Sequence, residues 1–205
     1  MSYALFFDTE TTGLPIEGLP DSDDRQPHLV QVAACLVDLN TRTTISSMDV
    51  MVRPADWVIP DEVAAIHGIT THRATVCGVA ESMAVELLLA LGNGVLRVAH
   101  NLAFDDRMVR IALARYFWDD GFEWDRHPEA AGFCTMQAAA PVLRLPASAR
   151  MVQAGRGHQY KQPRLAEAYQ HFTGQPMVNA HNAMADVQAC MAVFFALEDS
   201  QGGAA

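Results

Sequence analysis

The sequence lacks the marks of several protein classes. Its four cysteines, Cys35, Cys77, Cys134 and Cys190, are widely scattered and form no C-x-x-C pair. That spacing fits reduced thiols in a cytoplasm better than a disulfide frame or a zinc site. No long uninterrupted apolar run is present, and the first residues carry no basic segment leading into one. The chain therefore reads as neither membrane-spanning nor secreted, and as cytoplasmic. No Gly-rich P-loop is available for a nucleoside triphosphate, and Gly155 and Gly157 lack the strand-before, helix-after setting of a dinucleotide site. Basic residues are scarce as well: 14 Lys and Arg stand against 24 Asp and Glu, a formal charge of −10. Such a balance counts against nucleic acid as a partner, because phosphates reward Lys and Arg.

The distribution of charge matters more than its sum. From Ala130 to Ala166 there is no Asp or Glu, while Arg144, Arg150, Arg156, Lys161 and Arg164 fall within that stretch. It is either a solvated basic loop or a guide for a polyanion. The length of 205 residues suits one compact domain over 1–199 with a short flexible tail at 200–205, and half the residues are hydrophobic.

Periodicity and turn signals predict strands over 3–8, 29–39 and 44–52, then helices over 61–68 and 81–91. A strand over 95–101 precedes an amphipathic helix over 103–117. Residues 133–139 read as a short strand turning into a helix, and 146–162 as a long flexible loop. Helices over 165–172 and 183–198 complete the chain. The order indicates an α/β or α+β layer with a mixed sheet.

Within that pattern FFDTETTGL (6–14) poses a physical problem. Asp8 and Glu10 lie one residue apart on a strand and so share a face, beside the apolar Phe6 and Phe7. Two carboxylates there repel and lose hydration, which requires a basic partner, a shared proton or a bound cation. Two other segments join apolar elements to ionisable groups. HNLAFDD (100–106) places Asp105 in the first turn of a helix, with Asp106 beside it. HNAMAD (181–186) places His181 just before the last helix and Asp186 within it, flanked by Ala183, Val187 and Cys190. Each piece alone has an ordinary reading as a cap or a surface acid. Together, four carboxylates at element ends suit hard divalent cations bound through oxygen.

FDTETTGL, AHNLAFDD and HNAMAD, in this order, resemble the three motifs of the DnaQ-like 3′–5′ exonucleases in their DEDDh branch, which includes the proofreading epsilon subunit of bacterial DNA polymerase III. IHGIT (66–70) resembles a segment between the first two motifs, and the fit runs from about residue 3 to residue 198. The resemblance implies an α/β, ribonuclease-H-like exonuclease fold, a central mixed sheet flanked by helices. It also implies two divalent cations, Mg²⁺ or Mn²⁺, held by Asp8, Glu10, Asp105 and Asp186, with the Asp of the second motif able to act through water. His181 would be the general base, where tyrosine would mark the sister branch. Thr11, Leu14, His67, Asn101 and Phe104 resemble substrate-pocket positions, Leu14 as an apolar wedge under the terminal base. Gln162 stands where related chains often have Trp, which bears on the packing beneath the long loop.

The implied activity is hydrolysis of phosphodiester bonds at a 3′ end, releasing nucleoside 5′-monophosphates. The chain ends soon after the last helix, which points to a stand-alone enzyme or to one held in a polymerase or repair assembly by another surface. The acidic run Asp21-Ser22-Asp23-Asp24 would repel a duplex, so single-stranded DNA is the expected substrate, guided by the basic stretch through Arg156 and Lys161. An RNA-trimming exonuclease of the same branch shares these motifs, since discrimination rests on the 2′-OH. A non-catalytic module would be expected to lack one of the acids or the histidine, and a hydrolase of small phosphodiesters would use the same chemistry.

Overall fold

The computed structural model describes residues 3–92, 94–117, 124 and 132–202. A five-stranded sheet forms its centre, in the order β3-β2-β1-β4-β5. The strands are β1 (Tyr3–Thr11), β2 (Leu29–Asp38), β3 (Thr43–Met51), β4 (Leu96–Ala99) and β5 (Gly132–Cys134). β1 to β3 form an antiparallel meander, while β4 and β5 run parallel to β1. The helices are α1 (Asp61–His67), α2 (Thr71–Cys77), α3 (Glu81–Gly92), α4 (Leu102–Tyr116), α5 (Thr135–Leu143), α6 (Ala149–Gln153), α7 (Leu165–Thr173) and α8 (Ala183–Gly202). Both parallel crossovers pass through helices, as parallel pairing requires.

Alternation along β1 divides the core. Leu5 and Phe7 point into one cluster with Val85 and Leu88 of α3 and Met108, Ile111 and Ala112 of α4. Ala4 and Phe6 point the other way, against Val187, Cys190 and Phe194 of α8. Phe6 meets Phe194 edge to face at 5.2 Å between ring centroids. With apolar residues on both faces, β1 is a central strand buried on both sides.

Four departures from the predicted elements have local causes. β1 continues through Thr11, past the predicted end at Asp8, so Glu10 lies on the strand as well. α2 was not predicted, because only Ala74 of THRATVC is buried and no apolar stripe shows; Thr70 caps it by accepting from Arg73 N. The expected flexible loop contains α6, capped by Ser148. α8 runs through Gly202 into residues expected as tail, and 203–205 lie outside the described residues. Gln162, where related chains often have Trp, is exposed, and the neighbouring Pro163 is buried. Among the described residues no helix is long and apolar enough to cross a membrane.

The loop 12–28 is built and not loose. Gln26, 1% exposed, accepts from Ile16 N and donates to the carbonyls of Ile16, Leu19 and Pro20. Arg107 of α4 bonds Glu17, Asp21 and the Ile16 carbonyl. Behind the loop lies an ionic hub. The Glu81 carboxylate, with 2% of its side chain exposed, accepts from His28 Nδ1 at 2.8 Å, Leu29 N at 2.8 Å, Tyr116 OH at 2.9 Å and Arg115 Nη1 at 3.3 Å. Arg115 also bonds the carbonyls of Gln26 and Pro27, and His28 stacks on Trp57. Removing one partner of such a buried network strands the others without hydration. Glu81→Ala is therefore expected to cost about 3–5 kcal/mol in a denaturant titration. A loss below about 1 kcal/mol would mean that solvent replaces the carboxylate at no great cost.

Candidate active site

β1 pairs with β2 along its length, but its pairing with β4 ends at Phe6 opposite Val98. Past that point the two strands part, and α4 begins in the gap. Asp105, in its first turn and 3% exposed, fills the fork. Its Oδ1 accepts from Thr9 N at 3.0 Å and from Thr9 Oγ1 at 2.8 Å. A backbone N–H that β4 does not satisfy is thus taken by a carboxylate, which fixes the acid against β1.

On the opposite face of β1, α8 delivers the third motif. Gln31 of β2 lies directly opposite Glu10 in register. Its Oε1 accepts from Ala183 N at 3.3 Å at the start of α8, and its Nε2 donates to Asp49 at 2.6 Å. Asn182 Oδ1 accepts from Ala185 N, completing the helix start. His181 adopts a left-handed φ of 66°, and its N–H donates to Asp186 Oδ2 at 3.2 Å. One ligand atom each from Glu10, His181 and Asp186 lie within 4.8 Å of one another.

Burial pushes all four carboxyls above their ordinary range. Asp8 is raised well above it, first by desolvation and then by Asp105, Asp186 and Glu10. Glu10 is pushed up to about 7 by burial, then by Asp186 and Asp105. Asp105 rises to about 7 through burial, against the lowering effect of the Thr9 hydrogen bonds. Asp186 rises to about 6 through burial, opposed by His181. Among the described residues no Lys or Arg forms an ion pair with any of the four. Of the three ways to relieve Asp8 and Glu10, a basic side chain is therefore absent there. An all-carboxylate oxygen set with one imidazole at its rim fits hard divalent cations, with Asp8, Glu10, Asp105 and Asp186 as the residues able to hold them.

The doublet Asp105-Asp106 is separated cleanly. Asp106 bonds Arg97 of β4 at 3.0 Å, and Arg97 lies over the ring of Trp124 at 4.5 Å, so Asp106 belongs to the packing. His67 closes α1, where Gly68 takes the left-handed φ of 74° that ends the helix. Its Nδ1 accepts from Ile69 N, and its Nε2 is buried without a partner among the described residues. His67 and His181 line one cleft of about 430 Å³ with Ile66, Asn179 and Asn182. Burial and His181 both lower the His67 pKa.

The remaining expected substrate residues do not line that cleft. Thr11 is buried, its hydroxyl donating to the Gly13 carbonyl at 2.7 Å. Leu14 projects from the loop with 79% exposure, so it is no core residue. Asn101 is exposed with a φ of 96° just before α4, and Phe104 packs partly on the core beside Asp105. Thr9 and Gln31 escaped the sequence reading, because a Thr or Gln on a strand carries no signal of its own. The acidic run is also less repulsive than its sequence suggests: Asp21 faces Arg107 and Arg110, and Asp23 bonds Arg25.

The fold is shared with solved exonucleases. E. coli exonuclease I in complex with a dT13 oligonucleotide superposes with a TM-score of 0.74 at 23% identity, over 99% of this chain and 42% of that one. A zinc-ion-bound form of the E. coli exonuclease I–single-stranded DNA complex gives a TM-score of 0.74 at 23% identity, with the same coverage of 99% and 42%. Exonuclease I from Methylocaldum szegediense gives 0.71 at 24% identity, over 98% and 41%. This chain thus spans about two fifths of the length of those proteins. No curated protein sequence matches it. The RNase T family model, described as exonuclease, matches residues 5–194, nearly all of the sheet and its helices. With the three acidic motifs converging on one fork of that sheet, the chain belongs to the DnaQ-like exonuclease family.

Proposed function

We propose that this chain is a 3′–5′ exonuclease that removes nucleoside 5′-monophosphates one at a time from single-stranded DNA, in the cytoplasm and through a single domain. The observation that carries the reading is the convergence of Asp8, Glu10, Asp105 and Asp186, all raised in pKa and unpaired with Lys or Arg among the described residues, beside the ring of His181.

Two divalent cations bound by these acids would neutralise the scissile phosphate and make a water more acidic. The chain's own residues do the rest. Asp105 is held by Thr9, and Asp186 by the His181 N–H, so the acids keep their places with nothing bound. His181 has an exposed ring whose nitrogen is close to Glu10 and Asp186, where it can take the proton of the attacking water. The new bond forms from that water oxygen to phosphorus. The bond to the O3′ of the preceding nucleotide breaks, and that oxygen takes a proton from solvent. Thr11, Leu14, Asn101, Phe104 and His67 are the residues we assign to the terminal nucleotide, a reading supported by the exposed apolar surface that Leu14 offers to a base.

The decisive assay follows a 5′-labelled single strand of DNA, with an RNA twin, in Mg²⁺ or Mn²⁺. A ladder shortening by one nucleotide from the 3′ end is expected, faster on DNA, and abolished by EDTA. Asp8→Ala should remove activity, and His181→Ala should lower kcat by about 10²-fold or more. No ladder on either strand from folded, metal-binding protein would refute the reading, and a faster RNA ladder would reassign the substrate.

A second expectation concerns the metal-free protein. Carboxyls raised to about 6 and about 7 bind protons more tightly folded than unfolded. Their contribution to stability is complete below their unfolded pKa near 4 and is lost as pH rises through about 6 to 7. In EDTA the Tm should therefore fall between about pH 5 and about pH 8. Saturating Mg²⁺ or Mn²⁺, which binds the ionised acids, should cancel that fall. A metal-free Tm that rises over the same range would contradict the electrostatics described above.

A further inference from the structure

Residues 146–160 leave the body of the protein as an arm with a closed neck. Lys161 N donates to the Leu145 carbonyl at 3.0 Å, shutting the excursion at its base. The neck is fastened to the active-site end of the sheet. His100, at the end of β4 and immediately before Asn101, donates from Nε2 to the Pro163 carbonyl at 3.1 Å, while its Nδ1 meets Thr135 Oγ1 at 2.9 Å. Burial lowers the His100 pKa, against the raising effect of its bond to the Pro163 carbonyl. The arm is ordered inside by α6, by its Ser148 cap, and by the bond from Arg156 N to the Met151 carbonyl.

The charge of this arm runs against that of the chain. No acid occurs from Ala130 to Ala166 in a protein of formal charge −10. The structure also divides its cations. Lys161 is spent on Glu167, donating to both carboxylate oxygens at 2.6 and 2.9 Å, and Arg164 lies beside the same acid. Lys161 is therefore not the strand guide that its sequence position suggested. Arg150 and Arg156 are exposed, and neither forms an ion pair among the described residues. Tyr160, 50% exposed, stands at the neck beside them in sequence.

We propose that this arm is a docking surface for the part of a single-stranded polynucleotide that lies upstream of its cleaved 3′ end. Arg150 and Arg156 hold backbone phosphates, and Tyr160 offers a face for a base. The proposal rests on the exonuclease reading for the direction of the strand. Exposed cations with an aromatic face and no acids suit a flexible polyanion of unstacked bases. An acidic protein would match the charge alone and would leave the tyrosine unused. Attachment to His100 puts the surface at the end of the sheet where the hydrolysed nucleotide sits, so one strand can engage both.

The test compares wild type with Arg150→Glu/Arg156→Glu, with the milder Arg150→Gln/Arg156→Gln, and with Tyr160→Ala. Each is assayed on single strands of about 20 nucleotides, DNA and RNA, and on a dinucleotide, across a salt series. Arg53→Glu, an exposed change outside the arm, controls for net charge. For charge reversal, KM on the long strand should rise about tenfold at low salt. The slope of log KM against log salt should shrink by about 1.4, two phosphates at about 0.7 each. The preference for the long strand over the dinucleotide should collapse, the Gln pair should fall between, and Tyr160→Ala should raise KM with little change in slope. DNA and RNA should lose alike, since both present phosphates and a base face. An unchanged KM and slope in the reversed variant, or an equal effect from Arg53→Glu, overturns the proposal. Fluorescence anisotropy with the same strand in EDTA separates the two readings. If wild type binds the strand through Arg150 and Arg156 but hydrolyses nothing, the arm stands and the exonuclease reading falls. Hydrolysis with no dependence on the arm is the reverse.

Discussion

The parting of β1 from β4 after Phe6 is the constraint on which the site depends. A continuous parallel ladder would have covered the backbone of Thr9 and left no place for a carboxylate. Because β4 stops, the Thr9 N–H and hydroxyl turn to Asp105, and the second motif is drawn against the first. On the other face, Gln31 ties the start of α8 to the strand beside Glu10, so the third motif arrives from the opposite layer. Four carboxylates meet where two helices and a strand end converge, each buried enough to resist ionisation. Locally the cluster has only the Thr9 bonds to Asp105 and the His181 N–H bond to Asp186 to offset its burial among the described residues. It is held by the packing upstream, where Leu5, Phe6 and Phe7 are fully buried and each contributes roughly 2 kcal/mol.

A strained site requires a rigid frame, and the frame here is partly ionic. Glu81 collects His28, Arg115, Tyr116 and a backbone N–H. His28 in turn exchanges two backbone-side hydrogen bonds with Thr12, two residues past Glu10. Gln26 and Arg107 knit the rest of the loop. Leu14 is thus presented to solvent from a fixed support, which lowers the ordering entropy that a ligand would otherwise meet. Buried ion networks of this kind add little to net stability, but they are costly to break and so define one geometry.

Electrostatics divides the surface by role. The acidic run after β1 is largely answered by Arg25, Arg107 and Arg110, while Asp8, Glu10, Asp105 and Asp186 form no ion pair with Lys or Arg among the described residues. The one long stretch without acids lies in the arm joined to that same end of the sheet.

The sequence by itself determined the strands and the longer helices in their order, and it pointed to the acids. FFDTETTGL, HNLAFDD and HNAMAD announce themselves because carboxylates beside buried apolar residues are costly, and period-two and helical patterns place them on element ends. Tertiary structure decided what periodicity cannot carry. It paired Asp106 with Arg97 and Lys161 with Glu167, and exposed Leu14 where an apolar residue reads as core. It also enlisted Thr9, Gln31 and Glu81, whose partners stand 34 to 152 residues away along the chain. Local pattern reports which face a residue turns inward, whereas the identity of a long-range partner is set only when the layers pack.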